Sequence, residues 1–229
     1  MLQATSYKLQ ASQGKLIVLD GIDGSGKATQ TKLLVEKLKA EGFSVETMDF
    51  PQYENNFFGQ MVRRYLNGEF GPATAVSPYL ASVLYAGDRF ESSEIIKQWL
   101  AEGKIVVLDR YYTSNLIHQS AKLAPSELEA FIAWDEKMEF EIFNIPRPDL
   151  VIYLHLSAEV AYDWIAKRGQ GHDGHDTLEH MKTAEQQCLK LVKNLGWEKI
   201  ECFAKGNPLT IPEIAESVWQ KVESRLPKK

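Results

Sequence analysis

Cysteine is nearly missing from this chain. Only Cys188 and Cys202 occur among 229 residues, and neither stands in a Cys-x-x-Cys or Cys/His ligand spacing. A disulfide framework and a structural zinc site are therefore not expected, and reduced thiols in a cytoplasmic protein are the simplest expectation. Long apolar runs are missing too: nothing approaches the roughly eighteen residues of a membrane span, and MLQATSYKLQASQGK at the start lacks a long apolar core. Positive charge is scarce, with 26 Lys plus Arg against 31 Asp plus Glu, a net charge of −5. Such a chain has no basic field to hold a nucleic-acid backbone, so any anion it binds must be met by local charge. With 44% hydrophobic residues, disorder, collagen and peptide scaffolds are excluded as well.

What is present is a set of short apolar runs rich in branched residues, at 16–19, 105–108 and 150–154, each the pattern of a strand buried on both faces. Weaker strands are predicted at 44–50 and 197–203. Helical stretches separate them, at 26–41, 78–101, 125–140, 158–168 and 177–195. In a last helix Ile211, Ile214, Ala215, Val218, Trp219 and Val222 share one face, behind a Thr210/Glu213 capping box. Ser77 before Pro78 is a comparable start signal. Strand alternating with helix predicts an α/β fold, a three-layer sandwich around a five-stranded parallel sheet. The run of strands favours one domain over 15–229, preceded by an extension at 1–14.

After the first strand comes Gly21-Ile22-Asp23-Gly24-Ser25-Gly26-Lys27-Ala28-Thr29, followed by a helix. This is the G-x-x-x-x-G-K phosphate loop in its strand–loop–helix setting, the mark of the P-loop nucleoside triphosphate hydrolase fold. Glycines let backbone N–H groups turn in on a phosphate, the helix N-terminus adds partial positive charge, and Lys27 reaches the β- and γ-phosphates. Where the pattern places Ser or Thr to ligate Mg²⁺, this chain has Ala28. Thr29 is turned about a hundred degrees away on a helix, so its hydroxyl and a water remain alternative ligands. The third strand runs into Asp109-Arg110-Tyr111, at the edge where ligands of α/β folds collect. An aspartate there can hold Mg²⁺ and an arginine can grip a phosphate, although a strand-capping ion pair would have the same sequence.

The segments GIDGSGKATQ, FPQY, YLNGEFG, LYAGDRFE, DRYYTSN and RPDLVIYL, in this order and spacing, resemble the thymidylate kinase family from residue 16 to about 179. The resemblance implies ATP-dependent phosphorylation of dTMP to dTDP, with Mg²⁺, and a homodimer. It implies that Asp23 accepts from the deoxyribose 3′-hydroxyl or approaches the metal, and that Phe50 and Tyr53 line the dTMP pocket. Relatives often carry Arg or Glu where this chain has Gln52. Tyr85 would stack on thymine, Arg89 would bond its carbonyl edge, and Asn115 would pair with its amide-like edge. A residue four places along a helix shares the same face, so Tyr85 and Arg89 can meet one base. His118 stands where relatives can carry a tyrosine against the sugar 2′ position; an ordinary satisfied helix histidine is the other reading.

Lys27, Arg110 and Mg²⁺ would neutralise the phosphates, with Asp109, Thr29 and Glu179 as candidate metal ligands. The accepting phosphate is already an anion, so no general base is expected. A lid at about 168–176 would close over the site, Arg168 supplying the transition-state cation while His172 and His175 replace basic residues. The two histidines also suggest a transition-metal site, against which stands a Gly-rich loop with no cysteine or carboxylate cage. Asp176 and Glu179, one turn apart, match a family acidic pair; helix N-termini also favour acidic residues without any such role. Adenine would lie near 204–207. Two other readings remain: a kinase for another nucleoside monophosphate or deoxynucleoside, and a nucleotide-binding regulator without turnover.

Overall fold

The protein's computed structural model describes residues 14–167, 177–204 and 207–226. Its branched apolar runs form strands β1 (Lys15–Asp20), β2 (Val45–Asp49), β3 (Ile105–Asp109), β4 (Leu150–His155) and β5 (Glu198–Glu201). They pair in parallel in the order β2-β3-β1-β4-β5. Central strands of such a sheet are covered on both faces, and Leu16, Val18, Val106, Leu108, Ile152 and Leu154 have no exposed surface. The expected α/β sheet is the one found, with the edge strands shorter than the sequence suggested.

Helices α1 (Lys27–Ala40), α2 (Phe57–Leu66), α3 (Pro78–Ala101), α4 (Tyr112–Ser114), α5 (Leu128–Glu136), α6 (Ala158–Lys167), α7 (Leu178–Leu195) and α8 (Ile211–Glu223) connect and flank the strands. The capping box of α8 forms as its sequence predicts. Pro78 does open α3, while the Ser77 side chain makes no cap bond.

Three expectations need correction. Helix α2 has no counterpart in the sequence reading; Asn56 caps it by accepting from Gly59 N–H at 2.6 Å. The helix expected over 125–140 is three pieces: a 3₁₀ turn at Pro125–Glu127, α5, and a π-helical stretch Lys137–Ile142. The strand expected over 197–203 stops at Glu201, where the Cys202 N–H to His155 carbonyl bond closes the ladder with β4. Phe203–Ala204 (β6) pairs instead with Asn207–Pro208 (β7) as a separate antiparallel pair.

Another segment winds too wide for an α-helix, Asn115–Gln119, and it follows α4 directly. Wide turns of this kind collect at functional sites. Here the two carry Asn115, His118 and Gln119 on one side and Glu139 on the other. Helix α2 lies close on its neighbours, since a Cβ on Gly59 would stand 2.0 Å from the Gln52 carbonyl oxygen. Only glycine admits that approach.

Candidate active site

Strands β1, β2 and β3 end at the same sheet edge in Asp20, Asp49 and Asp109, the last two in register. Asp20 is fully buried and serves as a tie: it accepts from Gly21 N–H at 2.8 Å and from the hydroxyls of Thr113 and Ser114. The end of β1 and the segment leaving β3 are thereby fixed to each other. The phosphate loop follows, and Gly26 adopts φ 89° to open α1, a left-handed conformation that costs a residue with a Cβ about 1 kcal/mol or more.

Lys27 is buried, and its Nζ donates to the carbonyls of Gly21 and Ile22, both at 3.0 Å. Asp23 lies 3.7 Å from the same nitrogen and is ion-paired to Arg110. Burial, then the nearby Arg110, lowers the Lys27 pKa. Burial opposes the charge on Asp23, yet Arg110 and Lys27 outweigh it and hold that carboxyl well below the usual range. Arg110 likewise loses by burial and gains more from Asp23, Asp20 and Asp109, so its pKa is raised. Its backbone sits at φ 68°, and its Nη1 lies 3.3 Å from His118 Nε2. The guanidinium thus stands between the phosphate loop and a half-open cavity.

Every substrate-side residue named from the sequence lines that cavity. Asp23, Arg110 and His118 stand at one part of the wall; Phe50, Tyr53, Tyr85, Arg89 and Asn115 complete it. Tyr85 meets Tyr65 edge-on at 6.2 Å, and the Arg63 guanidinium covers the Tyr53 ring at 5.3 Å. Gln52 turns back and donates to Asp49. Asp88 fixes this loop from α3, accepting from Gln52 N–H at 3.0 Å and Asn56 Nδ2 at 2.7 Å, and burial raises its pKa. Arg89, beside it in sequence, is buried and paired with Glu139.

Sequence reading missed Gln119, which also lines the cavity and whose buried Oε1 has no hydrogen-bond partner among the described residues. It missed Asp88, Asp135 and Glu139 too. The donors to Glu139, Arg89 and Asn115, sit far from it in the chain, but Gln119, four residues after Asn115, had a legible helical spacing.

For a divalent cation, the candidate donors separate. Asp109 and Asp49 line a groove with Ala28 and Thr31, and the half-buried Asp109 carboxylate has no hydrogen bond or ion pair among the described residues. Burial raises its pKa, and the charges of Lys27 and Arg110 only partly offset that rise. That environment fits a magnesium ion, with water in the place of the hydroxyl that Ala28 lacks. Thr29 is exposed and does not line this groove, and Glu179 is exposed in the first turn of α7. Among the described residues no cluster of three or more His, Cys, Asp or Glu side chains could hold a metal. Arg168, His172, His175 and Asp176 lie outside the described residues, as does part of the 204–207 segment. No described helix is long and apolar enough to cross a membrane.

Residues 19–204 match the thymidylate kinase family. The thymidylate kinase of Mycobacterium tuberculosis is 33% identical over 172 residues, 75% of this chain and 80% of that protein. Those of Danio rerio and Homo sapiens are 30% and 31% identical, covering 92% and 84% of this chain and 90% and 84% of their own. A solved thymidylate kinase from Candida albicans superposes with a TM-score of 0.73 at 25% identity, over 93% of this chain and 92% of that one. A shared phosphate loop alone would not extend from the first strand to the last in both sequence and backbone, and the chain belongs to the thymidylate kinase family.

Proposed function

We propose that this chain transfers the γ-phosphoryl group of ATP to dTMP, yielding ADP and dTDP. One observation carries the reading: a single cavity has the Asp23–Arg110 pair, which borders the phosphate loop, on its wall together with the planar and polar side chains Tyr85, Arg89 and Asn115. A nucleoside monophosphate has those two ends, an anionic phosphate and a flat base.

Gly21 to Thr29 would cradle the ATP phosphates, with Lys27 leaving its carbonyl partners to meet the γ-phosphate. Arg110 would hold the acceptor phosphate and lessen its repulsion from the donor, while Asp23 orients Arg110 and meets the sugar hydroxyl. Phe50 and Tyr53 would wall the acceptor side. In the transfer an acceptor phosphate oxygen bonds to the γ-phosphorus, the bond to the bridging oxygen breaks, and ADP leaves with that electron pair. Positioning and charge neutralisation therefore do most of the work, and no general base is needed. Asp109 and water would hold magnesium, which when bound neutralises β- and γ-phosphate charge. We further assign Arg168 as a lid cation in 168–176, residues 15–229 as one kinase domain after a short extension, a homodimeric assembly, a cytoplasmic location and no nucleic-acid partner.

A panel of monophosphates assayed with ATP and magnesium tests the function. Highest kcat/KM on dTMP, above dUMP, dCMP and AMP, is the expected result; an AMP-first or flat profile contradicts it and favours a kinase for another monophosphate.

A further inference from the structure

Behind the cavity lies a buried polar group that the transfer chemistry does not use. Asp135 and Glu139, one turn apart at the junction of α5 and the π-helical stretch, are fully buried. Arg89 places Nε 3.1 and 3.2 Å from the two oxygens of Glu139 and also donates through Nη2. Its remaining terminus, Nη1, is 3.5 Å from the Tyr111 carbonyl. Asn115 Nδ2 faces three acceptors: the Ser82 carbonyl at 3.3 Å, Asp135 Oδ1 at 3.1 Å and Glu139 Oε1 at 3.4 Å. Only the amide NH₂ can face such a set, so the orientation of this side chain is dictated by its surroundings. The carbonyl Oδ1 is the part left for the cavity that Asn115 lines.

Charge balance completes the picture. One buried guanidinium matches one buried carboxylate, and Glu139 is the one in contact with Arg89. Burial, then the charge of Glu139, raises the Asp135 pKa well above its ordinary value, which favours its neutral form. Charged or neutral, Asp135 can accept through Oδ1, so the Asn115 amide remains turned inward.

We propose that Glu139, backed by Asp135, is the positioning residue that sets base selectivity, by holding Arg89 as a donor and Asn115 as an acceptor on the cavity wall. This rests on the assignment of Arg89 and Asn115 to the base. An acceptor beside a donor complements an N–H beside a C=O, the imide edge of thymine or uracil. Cytosine presents the reverse pattern, an unprotonated ring nitrogen beside an amino group, and would set acceptor against acceptor and donor against donor. A site built to bond one polar edge rejects the opposite edge strongly, because its own buried groups are then left unpaired.

The test compares steady-state kinetics on dTMP and dCMP for wild type, Glu139→Gln, Glu139→Asp and Asn115→Ala, with a thermal melt of each. Glutamine can present its own NH₂ to Asn115 and removes the charge from Arg89. Glu139→Gln is expected to raise KM for dTMP about tenfold and to lower the dTMP-to-dCMP ratio of kcat/KM by about tenfold or more. Its kcat at saturating dTMP and its KM for ATP should stay within about threefold, a split that a general loss of structure does not produce. Should Glu139→Gln not fold, Glu139→Asp keeps the charge but withdraws it by one methylene, and the same two changes are expected at smaller size. A folded variant with wild-type KM and wild-type base ratio overturns the proposal, provided Asn115→Ala is impaired on dTMP. If Asn115→Ala also has wild-type KM, the assignment of the base pocket is what fails.

Discussion

Lys27 and Arg110 differ in what their removal exposes. Lys27 closes on two loop carbonyls, whereas Arg110 answers three carboxylates, so alanine at 110 leaves Asp23 facing, among the described residues, Lys27 and His118. Both variants should lose about 10²- to 10⁴-fold in kcat, as expected when a cation is removed from a transferring phosphoryl group. Arg110→Ala should in addition raise KM for dTMP, and Lys27→Ala should not; steady-state kinetics with circular dichroism of each variant decides it, and unchanged turnover would refute the assigned roles. At this scale the sequence is most informative where one motif carries a fixed geometry, as from Gly21 to Lys27. It is least informative where partners meet only through folding: Arg89 and Glu139 are 50 residues apart, and Asn115 and Asp135 are 20 apart. An arginine in a helix gives no sign that a buried carboxylate awaits it.

Among the elements, those that bury a face on one regular period were legible, and those shaped by a particular contact were not. Strands β1, β3 and β4 and helices α3 and α8 lie within a residue or two of their expected bounds. The π-helical stretches were not legible, because an apolar pattern read at 3.6 residues per turn cannot register an inserted residue that turns Glu139 inward. Elements α6, α7, β4 and β5 share one polar joint. His155 at the end of β4 places Nε2 2.9 Å from Glu185 of α7 and Nδ1 beside Glu201 of β5, while Glu185 also accepts from Ala158 N–H at the start of α6. Burial works against a charged His155, but Glu185 and Glu201 outweigh it and raise its pKa above 6.5. Such a group stabilises the fold fully below the unfolded value, and the contribution is lost as pH rises through the folded one. The stability difference between wild type and His155→Gln in urea should therefore shrink from about pH 6 to about pH 9. A difference that stays constant over that range would show the joint to be uncharged.

For the molecule as a whole, α/β class, a five-stranded parallel sheet and family were legible, since alternating strand and helix permit few topologies, while the strand order came from the structure. The net charge of −5 told less, because a phosphate site depends on a few converging cations and not on the total. Ligand binding should be visible at this scale even without turnover. At about 100 times its Kd, dTMP alone should stabilise the fold by about 2.7 kcal/mol, and for a chain of this size that is about 5–10 °C in melting temperature. Differential scanning fluorimetry with dTMP and with dCMP checks this; equal shifts from both would argue against a base-selective cavity. Lys27 also ties the phosphate loop together from within. An ammonium lying on the carbonyls of Gly21 and Ile22 acts as an internal tether, keeping the loop near its working shape before any anion arrives. Nucleotide entry is then an exchange of one partner for another, and the chain entropy of ordering the loop is already spent at folding rather than subtracted from affinity.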